Sequence, residues 1–344
     1  MTPSGPILLA IESSCDDTSV AVLDGFEVLA NVIHSQVMHE AFGGVVPELA
    51  SRAHTEAILP TVKAALARAG KDFQDLDGIA VTQGPGLLGS LLVGHSFAKS
   101  LALSLDIPYV NVDHMEAHML AHFLYESGVQ EKPIPGFPYL CLTVSGGHTQ
   151  LVQVNAWNDF TILGETQDDA VGEAFDKAAK LLSLPYPGGP IIDRLAQKGQ
   201  PAFRFSQPNM PDLQFSYSGL KTSILRAMQK EVKEDPESLT ERVSDWCASI
   251  QEALIAPLLQ GLTLAASQTG IRRVALAGGV SANSHLRAEV QGLAQSLGWD
   301  LYLPPLSYTT DNAAMVGAAG QFAWAASQFA EMKDAAQPKR IVHG

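Results

Sequence analysis

The chain has 344 residues, of which 46% are hydrophobic and 17% charged, enough apolar material for roughly two domains and far from the composition of a disordered polypeptide. Its formal charge of -14 argues against tight nucleic-acid binding by this chain alone, so an RNA substrate would need a local basic patch or a more basic partner subunit. Cys15, Cys141 and Cys247 are too scattered for a disulfide framework or a zinc ribbon. With no targeting signal and no uncharged apolar run of about 18 residues, the expectation is a cytoplasmic protein with reduced thiols and no membrane contact.

Residues 7–12 predict a buried strand and residues 19–23 its hairpin partner, with the polar turn Ser13-Ser14-Cys15-Asp16-Asp17-Thr18 between them. Residues 26–33 fit a third strand. Residues 46–69 have helical character, with Arg52, His54 and Glu56 on the polar side. Residues 78–82 form another apolar strand, followed by Gln83-Gly84-Pro85-Gly86-Leu87-Leu88-Gly89-Ser90 and a long helix to about Leu105. A short strand at 109–112 leads into His114-Met115-Glu116-Ala117-His118. The opening theme then recurs as a strand at 139–144, the turn Ser145-Gly146-Gly147-His148-Thr149 and a return strand at 150–154, which points to an internal duplication. A third glycine turn, Ala277-Gly278-Gly279-Val280-Ser281-Ala282-Asn283, leaves a strand and opens a helix. Residues 130–138 and 198–211 are linker candidates, and the chain from Asp334 onward reads as a frayed tail.

Each motif has an ordinary alternative. The turn at 13–18 can form an anion-binding concavity or be a plain acidic hairpin; two aspartates beside a phosphate would repel it unless one works as a base or through a metal or water. The second turn carries glycines that let a ligand approach the main chain. The third resembles a nucleotide-cradling strand-to-helix turn, although it matches neither the dinucleotide fingerprint nor the P-loop pattern. In the acidic stretch before the helix at Val171, Asp168 or Asp169 can cap that helix, and Glu173 with Lys177 can be a surface pair. Asp176 is better placed to grip a ribose hydroxyl. Tyr186-Pro187-Gly188-Gly189-Pro190-Ile191-Ile192-Asp193 is a loop entering a helix.

His114 and His118 lie one helical turn apart and point the same way, and with a carboxylate such as Asp311 they can hold a divalent cation with positions left open. Glu116 is two residues from His114, about 200° around the helix, whereas the zinc-protease pattern needs its glutamate directly after the first histidine. Spacing alone does not choose His114/His118 over His118/His122, and Asp311 could merely cap the helix starting at Asn312. His34, His39, His54, His95 and His285 read as surface or satisfied core residues.

The duplicated hairpin and distant Gly-Gly turn resemble the actin-like ATPase fold. Ile11-Glu12-Ser13-Ser14-Cys15-Asp16-Asp17-Thr18, Gly43-Gly44-Val45-Val46-Pro47-Glu48-Leu49-Ala50-Ser51-Arg52, the His114 to His118 segment, residues 144–150 and Thr310-Asp311-Asn312 resemble the TsaD family over residues 7–320, in the same order. Ser13 stands where threonine is frequent. The resemblance implies an α/β, duplicated actin-like (ribonuclease H-like) fold, its two lobes built of mixed sheets flanked by helices with a ligand cleft between them. The expected division is 5–118 plus 308–333 for the first lobe, 119–307 for the second and 334–344 as a flexible tail.

It also implies transfer of a threonylcarbamoyl group from threonylcarbamoyl-adenylate to the exocyclic amine of the adenosine just 3′ of the anticodon in tRNA. Metal ligation then falls to His114, His118 and Asp311, with one divalent metal per subunit, Fe(II) favoured over Zn. Thr143, Val144, Ser145, Gly146, Gly147, Asp176, Gly189, Asp193 and Asn283 would take the adenylate. Asp16 or Asp17 would accept the proton or order the reactants. The implied partners are an actin-like paralog subunit, TsaB, and a small P-loop ATPase, TsaE. The rival readings are a metalloprotease, an actin-like ATPase or kinase, and a non-catalytic scaffold paralog.

Overall fold

The computed structural model describes residues 5–339 apart from 43, 127, 130–132, 207–209 and 236. Gly43 of the quoted motif, parts of both linker candidates and residues 340–344 of the expected tail therefore lie outside the described residues. The chain forms two compact units, Met1–Ile134 with Thr310–Gly344, and Pro135–Thr309.

In the first unit, β1 (Ile7–Glu12), β2 (Asp17–Asp24) and β3 (Glu27–Ser35) form an antiparallel meander. Helix α1 (Pro47–Ala69) starts with proline in its first turn, where the missing N–H costs nothing, and stops at Gly70 in the left-handed region, φ 63°. It is followed by β4 (Gly78–Gly84), α2 (Leu88–Leu105), β5 (Tyr109–Asp113), α3 (His114–Leu120) and the short β6 (Tyr125–Glu126). The sheet order is β5-β4-β1-β2-β3-β6, with β1–β4 and β4–β5 parallel. As an inner strand covered on both faces, β1 reads as a continuous apolar run, and Leu9 and Ile11 pack with Ile58 and Val62 of α1.

The second unit repeats the plan. β7 (Tyr139–Val144), β8 (Thr149–Ala156) and β9 (Asp159–Glu165) form the meander, followed by α4 (Val171–Leu181), α5 (Gly188–Ala196), α6 (Ser218–Glu234), the single turn α7 (Ser238–Glu241) and α8 (Val243–Thr269). β10 (Arg273–Ala277), α9 (Ser284–Leu297) and β11 (Asp300–Tyr302) complete a sheet ordered β11-β10-β7-β8-β9. Strand for strand this matches β5-β4-β1-β2-β3, so the duplication expected from the two hairpins extends through both sheets. The chain returns to the first unit as α10 (Ala313–Ala325).

Two features depart from the sequence reading. The first unit runs past residue 119, because β6 pairs in parallel with β3. The described part of the tail is not frayed: Gln337 N donates to Gln83 O at 2.7 Å, Asn111 Nδ2 donates to Asp334 Oδ2 at 3.2 Å, and Lys99 donates to the carbonyls of Met332 and Asp334. By length and composition alone, α2 and α8 could each cross a membrane. α8 buries its apolar surface in the second unit, where Trp246, Ile250, Leu254, Leu258 and Leu262 lie in the core. Cys15, Cys141 and Cys247 are free thiols.

Candidate metal centre and glycine turns

Three parallel strands of the first unit end side by side, and the side chains just beyond them make the site. Glu12 ends β1, Thr82 lies near the end of β4, and Asp113 ends β5. Ligand sites in α/β sheets collect at such carboxyl ends. Asp113 Oδ1 accepts hydrogen bonds from Met115 N at 2.8 Å and Glu116 N at 3.1 Å, which starts α3 and makes His114 its first residue. His118 follows one turn later on the same face. Both are buried, and their rings meet edge to face with centroids 4.8 Å apart.

Asp311 arrives from the other end of the chain. Its Oδ1 lies 3.1 Å from His118 Nε2 and 3.5 Å from His114 Nε2. One ligand atom from each of the three residues falls within 4.8 Å of the others. Asp311 does not cap α10: that role is taken by Asn312, whose Oδ1 accepts from Met315 N at 3.0 Å, which leaves Asp311 to the histidines. His122 sits in the turn after α3, outside this group.

The residue the sequence reading missed is Glu12. Fully buried, it accepts from Ser14 N through Oε1 and from Thr82 Oγ1 through Oε2, each at 2.5 Å, and its Oε2 lies 3.1 Å from His114 Nδ1. Ser14 Oγ lies 3.2 Å from the same nitrogen. A proton held on Nδ1 by Glu12 leaves Nε2 its lone pair, the form in which imidazole binds a cation. The one available signal was a lone carboxylate ending an apolar strand, a position where charge survives only if paired. His118 Nδ1, by contrast, is buried with no partner among the described residues.

Burial alone would lower the His114 pKa, but Asp311 and Glu12 together hold it well above the usual imidazole range. Burial would raise Asp311 and Glu12, yet His114 holds Asp311 well below its ordinary value and also lowers Glu12. Two Nε2 atoms converging on one carboxylate oxygen, with the outer nitrogen of one ring braced by a buried carboxylate, fit a divalent cation of the histidine–carboxylate class. Asp17 begins β2, where burial first, then Asp16, Asp311 and Glu12, push its carboxyl up to about 6 against the opposing Ser35 hydroxyl. The turn from 13 to 18 reaches His114 through Ser14, not through Asp16 or Asp17. His54, read as ordinary, ties that turn down: its Nδ1 lies 2.7 Å from Thr18 Oγ1 and its Nε2 lies 3.0 Å from Cys15 O.

The second unit brings its glycine turns together. Thr143 and Val144 are fully buried in β7, while Gly146 and Gly147 are exposed with open space where a Cβ would be. Ser145 N donates to His148 O at 2.8 Å, and Gly172 N at the start of α4 donates to Ser145 O at 3.2 Å. Gly278, at φ 83°, passes so close to β7 that a Cβ there would lie 2.4 Å from Val144 O. Asp176 Oδ1 accepts from Gly188 N at 2.7 Å and Gly189 N at 3.4 Å, where the amides at the start of α5 only partly offset the burial that raises its pKa. Asp193 accepts from Ser284 Oγ at 2.7 Å and Ser284 N at 3.0 Å. Asn283 accepts from Leu286 N at 2.9 Å and donates to Gln251 Oε1 at 2.7 Å. Asp176, Asp193 and Asn283 thus bind helix starts around the turns.

The profile of the TsaD family, tRNA N6-adenosine threonylcarbamoyltransferase, matches residues 27–318. A protein of that name from Christiangramia forsetii is 52% identical over 333 residues, covering 96% of this chain and 97% of its own. Another from Phocaeicola vulgatus is 51% identical over 324 residues, covering 94% and 95%. Among solved structures, HypF from T. kodakarensis superposes with a TM-score of 0.62 at 16% identity, which is a likeness of fold alone; the match covers 94% of this chain and 48% of HypF, so the chain spans about half the length of that protein. The chain belongs to the TsaD family of tRNA N6-adenosine threonylcarbamoyltransferases.

Proposed function

We propose that the chain transfers the threonylcarbamoyl group from threonylcarbamoyl-adenylate to the exocyclic amine of the adenosine 3′-adjacent to the anticodon, in tRNAs reading codons that begin with A. The observation that carries this reading is a family match over residues 27–318 that coincides with an assembled His114–His118–Asp311 set. The amine lone pair attacks the carbamoyl carbon, the carbon–oxygen bond to the phosphate breaks, AMP leaves, and the amine gives up a proton. Because the donor is already a mixed anhydride, positioning supplies much of the rate and no protein nucleophile is needed.

In this reading His114, His118 and Asp311 hold one divalent cation, Fe(II) before Zn. Such a cation supplies Lewis-acid polarisation and a template for donor oxygens. Thr143, Val144, Ser145, Gly146 and Gly147, with Asp176, Gly189, Asp193 and Asn283, take the adenylate. Asp16 or Asp17 accepts the amine proton; a carboxyl at about 6, as at Asp17, suits that task near neutral pH. An actin-like paralog of the TsaB kind and a TsaE-like P-loop ATPase complete the cytoplasmic system. The test is nucleoside analysis of tRNA after depletion of the protein. Threonylcarbamoyladenosine should disappear and return with the wild-type chain but not with His114→Ala. Its persistence in depleted cells would refute the reading.

A further inference from the structure

The proposed substrate is a polyanion, yet the chain carries a formal charge of -14. Binding to nucleic acid draws its strength from lysine and arginine set along phosphates, so a cationic face must come from somewhere. The second unit has one on α6. From Ser218 to Lys233 the exposed positions include Lys221, Arg226, Lys230 and Lys233. Of the two acids on the helix, Glu231 is half-buried and bonded to Arg242 at 3.1 Å and Ser238 at 3.2 Å, and Glu234 is the exposed last residue. At 3.6 residues per turn the four cations fall within about half the helix circumference.

Among the described residues none of the four is in an ion pair, whereas Lys177 is neutralised by Asp169 and Glu173, and Arg242 by Glu231 and Asp245. A basic amphipathic helix can also lie on an anionic membrane, but that needs a free apolar face. Here Leu220, Ile224 and Met228 are buried in the core of the unit. Nor is the start of α6 open to an anion. Asp168 already accepts from Ser216 Oγ at 2.5 Å, Ser218 Oγ at 2.6 Å and Tyr217 N at 2.8 Å. The same short segment binds the first glycine turn of the unit, with Thr166 N donating to Thr149 O at 2.9 Å and Gly172 N to Ser145 O at 3.2 Å. The cationic face and the Ser145–Gly147 turn are therefore anchored to one stretch of chain.

We propose that the exposed face of α6, carrying Lys221, Arg226, Lys230 and Lys233, docks the phosphate backbone of the RNA substrate. The inference rests on the reading that tRNA is that substrate. Its test is the fluorescence anisotropy of a labelled tRNA transcript titrated with the full chain at salt from about 50 to 200 mM. The triple variant Lys221→Glu/Arg226→Glu/Lys230→Glu should bind about tenfold more weakly or worse, with a salt dependence shallower by roughly 2–3 in log–log slope. The charge-matched triple Lys63→Glu/Arg68→Glu/Lys71→Glu, in and just after α1, should bind as wild type does. Glutamine at the three α6 positions should give an intermediate loss, which separates docking from misfolding. Equal losses in both glutamate triples, no loss in the α6 triple, or no binding by the wild type at the lowest salt would each overturn the inference. Nucleoside formation measured in parallel separates the two readings. A wild-type chain that binds through α6 but modifies nothing refutes the chemistry alone, and normal modification with affinity indifferent to α6 refutes the surface alone.

Discussion

A carboxylate with no exposed surface is held in place by its partners, and Glu12 has three: Ser14 N, Thr82 Oγ1 and His114 Nδ1. Glu12→Gln keeps the shape but not the charge that fixes the His114 proton, and should weaken divalent-cation affinity by about 10–100-fold in competition with a chromophoric chelator. Glu12→Ala strands all three partners and should cost about 3 kcal/mol in denaturant unfolding of the metal-free chain. Asp17 makes a pH prediction. Its carboxyl titrates at about 6 in the folded chain against an ordinary 3.8, so between those values the folded state binds more protons than the unfolded one. The stability tied to protonated Asp17 is complete below the lower value and is lost as pH rises through about 6. Asp17→Asn removes that dependence. Its urea midpoint should rise relative to wild type between pH 4.5 and pH 7, and an unchanged difference would show that Asp17 does not titrate there.

At the scale of elements, α3 is a two-turn helix whose start rests on one side chain. Asp113→Ala should cost about 1 kcal/mol of stability. It should also lower metal affinity, because His114 is the first residue of that helix and His118 follows one turn later. Normal affinity in the destabilised variant would show that packing alone fixes the imidazoles. The i,i+4 histidine pair and the three glycine turns were legible because each is local in sequence. Glu12 and Thr82 were not, because bringing Thr82 to Glu12 and Glu12 to His114 needs β4 to lie between β1 and β5 in the sheet, a tertiary fact. The same limit applies to Asp193: residue type marked it, but the helix start it binds, at Ser284, comes from a distant segment, whereas Asn283 caps the helix that it opens. α8 escaped because Trp246 to Gln251 are buried without a break, which blurs any apolar stripe, and the tail because nothing in its own letters announces Lys99.

For the whole molecule, the duplication means that each half has its own sheet and its own apolar core. A ligand stabilises what it binds by RT ln(1 + [L]/Kd), about 2.7 kcal/mol at a hundredfold excess over Kd. Since His114, His118, Asp311 and Glu12 all belong to the first unit, a divalent cation should slow amide exchange in β1, β4, β5 and α3. Exchange in β7, β8 and β10 should be unmoved. AMP should do the reverse if the glycine turns of the second unit are its seat. His114→Ala should abolish the cation's effect and leave that of AMP intact. Protection spreading equally through both units on cation binding would show that the halves open as one, and that the duplicated cores do not confer separate stabilities.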